Sequence, residues 1–320
     1  MRRMALFFLA LFLSPAFAQQ PDLTEVLLDV PVLPVPVKAN NKAQLLYELH
    51  ITNFNVAVEL TALPSDLYHR LFFKEENGGE VSVESERVVA RPESVVVLNS
   101  PLRGDGWVAL NSLGAPSHHR LSFLSRGGRA AVPQRYAADW VRLGAEEKLS
   151  HDNAGENKNY YGYGAEALAV ADATVEETRD GLPELVPFAA SKTSSVSFEN
   201  STGNYVLLNL GHGRFALYAH LQPGSIRVRK GQRVRAGQVL GFVGSSGKSD
   251  LPHLHFHVVD ASHPLLADGL PYVFNSFIVQ GNVGSIDSLF EGKGITRQPA
   301  SKPDKRSKEL PANLDVVSFP

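Results

Sequence analysis

Cysteine is absent from the 320 residues. That removes disulfide staples, thiolate metal ligands and cysteine nucleophiles together. Any metal must then be held by His, Asp or Glu, and a chain of about 300 residues can bury adequate cores without cross-links. A strong charge of one sign is missing too. The 31 Lys and Arg against 33 Asp and Glu leave a formal net charge of −2, which gives no reason to expect nucleic acid or an anionic membrane surface as partner. Beyond the first residues no apolar run approaches the roughly 18 residues of a membrane-spanning helix. Helical periodicity longer than two turns is also lacking, except around Ser285, so the chain should be all-β.

Residues 1–18 read as a secretory signal. Arg2-Arg3 supply the charged start, Ala5 to Leu13 the apolar stretch, and Ala16-Phe17-Ala18 a small-x-small cleavage site before Gln19. Export to the periplasm or medium is expected, with cleavage after Ala18 and no stable membrane insertion. Residues 24–112 then carry short apolar or alternating runs punctuated by turns such as Glu76-Asn77-Gly78-Gly79. This spacing predicts a β-sandwich-like accessory domain. A second β domain is expected over 115–290, dense in glycine between 203 and 247. Residues 293–320 read as a mostly mobile tail, with Leu314 to Phe319 able to dock as a last strand. The sequence gives no basis for an oligomeric state.

The richest segment is Lys248-Ser-Asp-Leu-Pro-His253-Leu-His255-Phe-His257-Val258. One histidine alone would read as an ordinary core or surface residue. Three at i, i+2, i+4 among apolar residues place three imidazoles on one face of a strand, and imidazole is both the commonest zinc ligand and the usual general acid/base near neutral pH. Gly244-Ser-Ser-Gly247-Lys248-Ser249 mimics a phosphate-binding loop, but Phe242 stands where its first glycine belongs and Pro252 and a strand follow where a helix should start. A turn presenting the histidine strand is the better reading.

Residues 201–258 resemble the lysostaphin/LytM-type zinc metallopeptidases, which cut peptide cross-links in peptidoglycan. The resemblance is carried by Tyr218-Ala-His220-Leu221, by Val228-x-x-Gly231-x-x-Val234-x-x-Gly237-Gln-x-Leu-Gly241-x-x-Gly244-x-Ser-Gly247, and by Pro252-His253-Leu-His255-Phe256. It extends more weakly back to about residue 130. It implies a LytM-like two-sheet domain, Zn2+ as cofactor and peptidoglycan peptides as substrate. By position, His255 would ligate zinc, His253 would orient or deprotonate the attacking water, and His220 would stabilise the oxyanion or shuttle a proton. The family's remaining ligands come from an H-x-x-x-D segment, matched here by Gln134 to Trp140 with Asp139 as the aspartate. The histidine slot holds Arg135, which has no lone pair to offer.

A catalytic zinc normally keeps three protein ligands, so a third donor must come from elsewhere. Ser125-Arg-Gly-Gly128 reads as a hairpin tip. If Arg126-Gly127 is its loop, position 135 lies opposite 118, and His119 or His118 reaches the vacant slot from a neighbouring strand. His257 is the other contender, about 7 Å further along the strand from His255. The alternative is a degenerate, non-catalytic relative that binds peptidoglycan or activates an amidase. His151-Asp152 reads as a solvated loop, Tyr160-Tyr161-Gly-Tyr163 as either a loop or a glycan-stacking surface, and His212 as a hairpin turn. His50, His69 and His263 have no assigned role.

Overall fold

The structure is a computed structural model. It describes short strands between residues 28 and 89, and residues 95–320 except 114–116, 127–128, 145, 189–194 and 286–296. The expected signal segment lies outside the described residues. Two units divide the chain, 1–36 with 43–94 and 37–42 with 95–320.

The first nine strands are β1 (Leu28–Asp29), β2 (Pro36–Ala39), β3 (Lys42–Leu45), β4 (Glu48–Ile51), β5 (Phe54–Ala57), β6 (Asp66–Leu67), β7 (Arg70–Lys74), β8 (Glu80–Glu84) and β9 (Val88–Val89). Within the first unit β1, β4 and β5 form an antiparallel sheet, β6 pairs with β9, and β7 pairs with β8.

The second unit continues with β10 (Val96–Leu98), β11 (Gly104–Leu110), the single helical turn α1 (His118–Leu121), β12 (Leu124–Arg126), β13 (Arg129–Ala131) and β14 (Ala138–Arg142). Then come β15 (Glu166–Leu168), β16 (Ala173–Arg179), β17 (Asn204–Gly211), β18 (Arg214–Leu221), β19 (Arg233–Val234), β20 (Val239–Phe242) and β21 (Leu254–Val259). The last three are β22 (Tyr272–Val283), β23 (Arg297–Glu309) and β24 (Asp315–Phe319). One sheet runs β10-β22-β24-β11-β14-β21-β18-β17-β16-β19, with β23 added on β22. The smaller β15–β20 ladder forms a second sheet. The chain is thus nearly all β, as its composition predicts.

Alternation along the central strands explains the core. On β14 and β21, Trp140 and Phe256 point away from the site and join Tyr272, Phe274 and Phe319, all buried, in an edge-to-face aromatic layer. Burying each such side chain is worth roughly 1.5–3 kcal/mol. The opposite face carries Tyr205, Leu207, Leu217, Ala219 and Val259, with Asp139 and His255 in the same layer where β14 and β21 pair.

Two expectations are corrected. The boundary near residue 112 falls instead at 94/95, because β11 pairs with β14 and β24, and β10 with β22. Their residue patterns match those of the accessory strands, and only long-range register tells them apart. The tail is not loose at 297–309. It pairs along β22 as β23, where one face looks to solvent, so a polar, Lys-rich strand reads as disorder. Arg306 anchors it through Asp304 and the buried Glu309, and Lys38 reaches Glu309 as well.

Candidate metal and catalytic site

Asp139 sits at the middle of the central sheet, paired with Leu110 on β11 and with His255 on β21; His255 in turn pairs with Ala219 on β18. Residues facing each other across adjacent strands share a sheet face, so this row presents a carboxylate and an imidazole side by side. The i, i+2, i+4 spacing adds His253 and His257 on the same side: the His255 and His257 rings lie 5.0 Å apart, and His253 Nε2 is 3.5 Å from Asp139 Oδ1.

His220 reaches this face by breaking the alternation. Ala219 already faces the site, so a regular strand would turn His220 to the other side. Its φ of +64° and the register shift between Asn204 and Val206 mark a bulge that swings the ring back. His220 and His253 rings then lie 4.7 Å apart. A positive φ is uncommon outside glycine and collects at functional sites.

His119 arrives by another route than expected. The hairpin pairs Arg126 with Arg129, a register that differs from the expected one, and the ladder stops at Leu124 and Ala131. His118 and His119 therefore do not lie on a neighbouring strand. They form α1, whose first turn is capped by Ser117 Oγ accepting from the His119 N–H at 3.2 Å. The turn delivers His119 Nε2 to 3.2 Å from Asp139 Oδ2, with the ring 4.9 Å from that of His255. His118, on the outer side of the turn, also offers a nitrogen, which lies within 4.8 Å of donor atoms on His119 and Asp139.

Arg135 is buried and turned elsewhere. Its Nη1 donates to Gly269 O at 3.0 Å and its Nη2 lies 3.5 Å from Asp268 Oδ1. The guanidinium thus fastens the 268–269 turn instead of entering the site.

The carboxylate of Asp139 has four neighbours: Asn111 Nδ2–H donates to Oδ2 at 2.9 Å, His255 Nδ1 lies 2.8 Å from Oδ1, and His119 and His253 complete the set. Burial alone would raise its pKa; His119 and His253 override that and hold the carboxyl well below its usual range. Burial, then His253 and His255, hold His220 well below an ordinary histidine. Burial pushes His255 down to about 4 despite Asp139, and burial followed by His255 keeps His257 low. His253 differs: burial opposes its charge, but Asp139 wins and raises it.

Main-chain carbonyls only accept, and they fix two tautomers. His220 Nδ1–H donates to Ser246 O at 2.8 Å, and His253 Nδ1–H to Leu251 O at 2.8 Å. In both neutral rings Nε2 is left as a lone pair. The 244–249 segment supplies the Ser246 carbonyl as a turn, as expected, and Leu251 follows it. Gly203 (φ +64°) and Gly247 (φ +74°) let its backbone pack directly on the 201–203 segment leading into β17, and Ser246 Oγ–H donates to Leu221 O at 2.7 Å. Tyr163 and Ser245 N both bond Glu184, which braces the same turn.

A cleft of about 630 Å³ opens over the group, lined by His118, His119, Asp139, His220, His253 and His255, with Phe198, Thr202, Lys248 and Asp250 on its rim. The donor set fits a zinc ion. Asp139, His119 and His255 are two imidazoles and a carboxylate, the ligand types and number of a catalytic zinc, and among the described residues buried His119 Nδ1 has no hydrogen-bond partner. His257 fits a ligand role poorly, since its nitrogens face His255 Nε2 at 2.9 Å and Pro264 O at 3.2 Å.

Residues 161–266 match Peptidase family M23. The chain carries an M23 peptidase domain. The match covers about a third of the chain and includes His220, His253 and His255; Asp139 and His119 precede it. The chain is 39% identical over 77 residues to the DD-carboxypeptidase/endopeptidase Mpg of Neisseria meningitidis, covering 23% of this chain and 17% of the relative. It is 51% identical over 104 residues to the glycyl-glycine endopeptidase ALE-1 of Staphylococcus capitis, covering 32% of this chain and 27% of the relative. The aligned stretches thus span well under a third of either relative. The catalytic domain of lysostaphin from Staphylococcus simulans matches with a TM-score of 0.27 at 20% identity, over 52% of this chain and 86% of that one.

Other residues singled out in the sequence lie apart from the M23 site. His151 and Asp152 form an exposed pair at 2.7 Å. Tyr160 is buried with its hydroxyl on Ala154 O, while Tyr161 lines a separate polar groove with Arg142, Glu147 and Arg297. His212 occupies the β17–β18 turn with φ +53°, and His263 Nδ1 accepts from the N–H groups of Leu265 and Leu266. Asn111 (φ +56°) was missed in the sequence. A lone Asn after an apolar strand gives no signal of its own.

Proposed function

We propose that this chain is an exported zinc endopeptidase, periplasmic or secreted, that hydrolyses peptide bonds in peptidoglycan, with Asp139, His119 and His255 as metal ligands. The observation that carries the reading is the convergence of His119 and His255 on Asp139 at 3.2 and 2.8 Å, despite arginine at position 135. The substrate class follows from the M23 match and from relatives that bear endopeptidase names. Among the described residues no helix is long and apolar enough to cross a membrane.

A zinc ion held there would supply an acidified water and polarise the scissile carbonyl. The chain's own residues do the proton work. His253, raised by Asp139 against its burial, is the stronger base; its Nε2 accepts the water proton as the C–O bond forms, then returns it to the amine as the C–N bond breaks. His220 presents a neutral Nε2 beside it. That lone pair accepts a hydrogen bond from the attacking water and helps to orient it.

A degenerate binding protein is the second reading, favoured only by Arg135. Digestion of purified sacculi, with products read by mass spectrometry and His255→Ala as control, separates the two. Released stem peptides from the wild type alone support the enzyme; inertness of both proteins overturns it.

A further inference from the structure

We infer that His257 is a positioning residue that sets which nitrogen of His255 carries the hydrogen, leaving Nδ1 as a lone pair toward Asp139 and a metal held beside it. The inference rests on the proposed metal site and concerns a residue with no contact to substrate space: His257 is 0% exposed and absent from the cleft lining.

Hydrogens can be counted along a line of atoms from Pro264 to Asp139. Pro264 O can only accept, so at 3.2 Å His257 Nε2 must carry the hydrogen. His257 contacts no anion through either nitrogen and is fully buried, so the ring holds a single hydrogen and its Nδ1 is a lone pair. That lone pair lies 2.9 Å from His255 Nε2 and is satisfied when Nε2 carries the hydrogen and donates. His255 Nδ1 is then a lone pair, directed at Asp139 Oδ1 across 2.8 Å. A lone pair opposite a carboxylate oxygen is repulsive until a cation lies between them. The competing arrangement puts the hydrogen on His255 Nδ1, where it donates to Asp139 and blocks ligation. The Pro264 carbonyl, acting through His257, works against that competitor. An outer residue that orients a ligating histidine in this way commonly contributes roughly 10- to 100-fold in metal affinity.

His257→Leu removes the acceptor and leaves the buried His255 Nε2–H unsatisfied, while His257→Gln can accept through Oε1 and donate to Pro264 O through Nε2. Two readouts apply to the full-length protein: the zinc dissociation constant by chelator competition, and the through-hydrogen-bond 15N–15N coupling between His255 Nε2 and His257 Nδ1 in the zinc-loaded wild type. Expected are an observable coupling, a roughly 10- to 100-fold weaker dissociation constant in His257→Leu, and recovery of most of that loss in His257→Gln. An absent coupling, or wild-type affinity in a folded His257→Leu protein, overturns the inference. If His257→Leu does not fold, the wild-type coupling decides alone. A wild type that binds no zinc sinks the proposed function instead, so the two failures are distinguishable.

Discussion

His119→Ala is the sharpest perturbation of the proposed centre. Arg135 is committed to Gly269 O and Asp268, so His119 is what raises the ligand count from two to three. Apparent binding free energies of about 10–16 kcal/mol for four-ligand zinc sites place each ligand at roughly 3–4 kcal/mol, or about 10²- to 10³-fold in dissociation constant. His119 belongs to a four-residue turn packed over Asp139, and its loss opens space to solvent without touching the aromatic layer, so folding should survive. The assay is zinc affinity by chelator competition, with folding checked by circular dichroism and His118→Ala as comparison. The expected result is a loss of about 10²-fold or more for His119→Ala and a smaller one for His118→Ala, whose ring lies on the outer side of the turn. Undiminished affinity in folded His119→Ala would refute the ligand assignment, and a larger loss in His118→Ala would transfer it to that residue.

Arg135→Ala should leave zinc affinity unchanged but lower stability by about 2–4 kcal/mol, because Gly269 O loses its donor and Asp268 its ion pair; urea unfolding checks this, and a drop in metal content at full stability would contradict it. The zinc-free protein should lose stability on acidification. His220, His255 and His257 have folded pKa values lowered below the unfolded 6.5, so below about pH 6.5 the unfolded chain binds protons first and each group costs up to about 1.4 kcal/mol per pH unit. His253 has the opposite sign, adding stability at low pH that is lost as pH rises through its raised value. Three groups outweigh one, and an unfolding free energy that stays flat or rises from pH 7.5 to 5.0 would contradict the burial argument. Gly203→Ala should destabilise the fold and disturb the Ser246 O bond to His220, since a Cβ there collides with Ser246 and the positive φ adds strain; an unshifted His220 imidazole resonance in a stable variant would show the close packing to be dispensable.

Much of the site was legible because a strand's period of two turns spacing directly into geometry. His253, His255 and His257 share a face in the structure as the i, i+2, i+4 rule requires. Asp139 was reached through the family pattern, and Arg135 told that a ligand had to be found elsewhere. His119 was placed by assuming an extended hairpin. The chain instead turns into α1, because Ser117 offers a cap that outcompetes strand pairing. What stayed hidden depends on non-local register or on single dihedral angles. The bulge that redirects His220, the reach of Asn111 to Asp139, and the enrolment of β10, β11 and β23 into the main sheet leave no local pattern, whereas β24 forms where Leu314 to Phe319 was expected to dock. A polar edge strand such as β23 carries the composition of a loose tail until its partner β22 is known.

Anomalous scattering at the zinc absorption edge, from crystals of protein purified without chelator, reads the central assignment directly. The account predicts one peak bonded to Asp139, His119 and His255, with His220 and His253 beside it and unbonded. A peak held by other residues, or a zinc-supplemented crystal with no peak there, would contradict it.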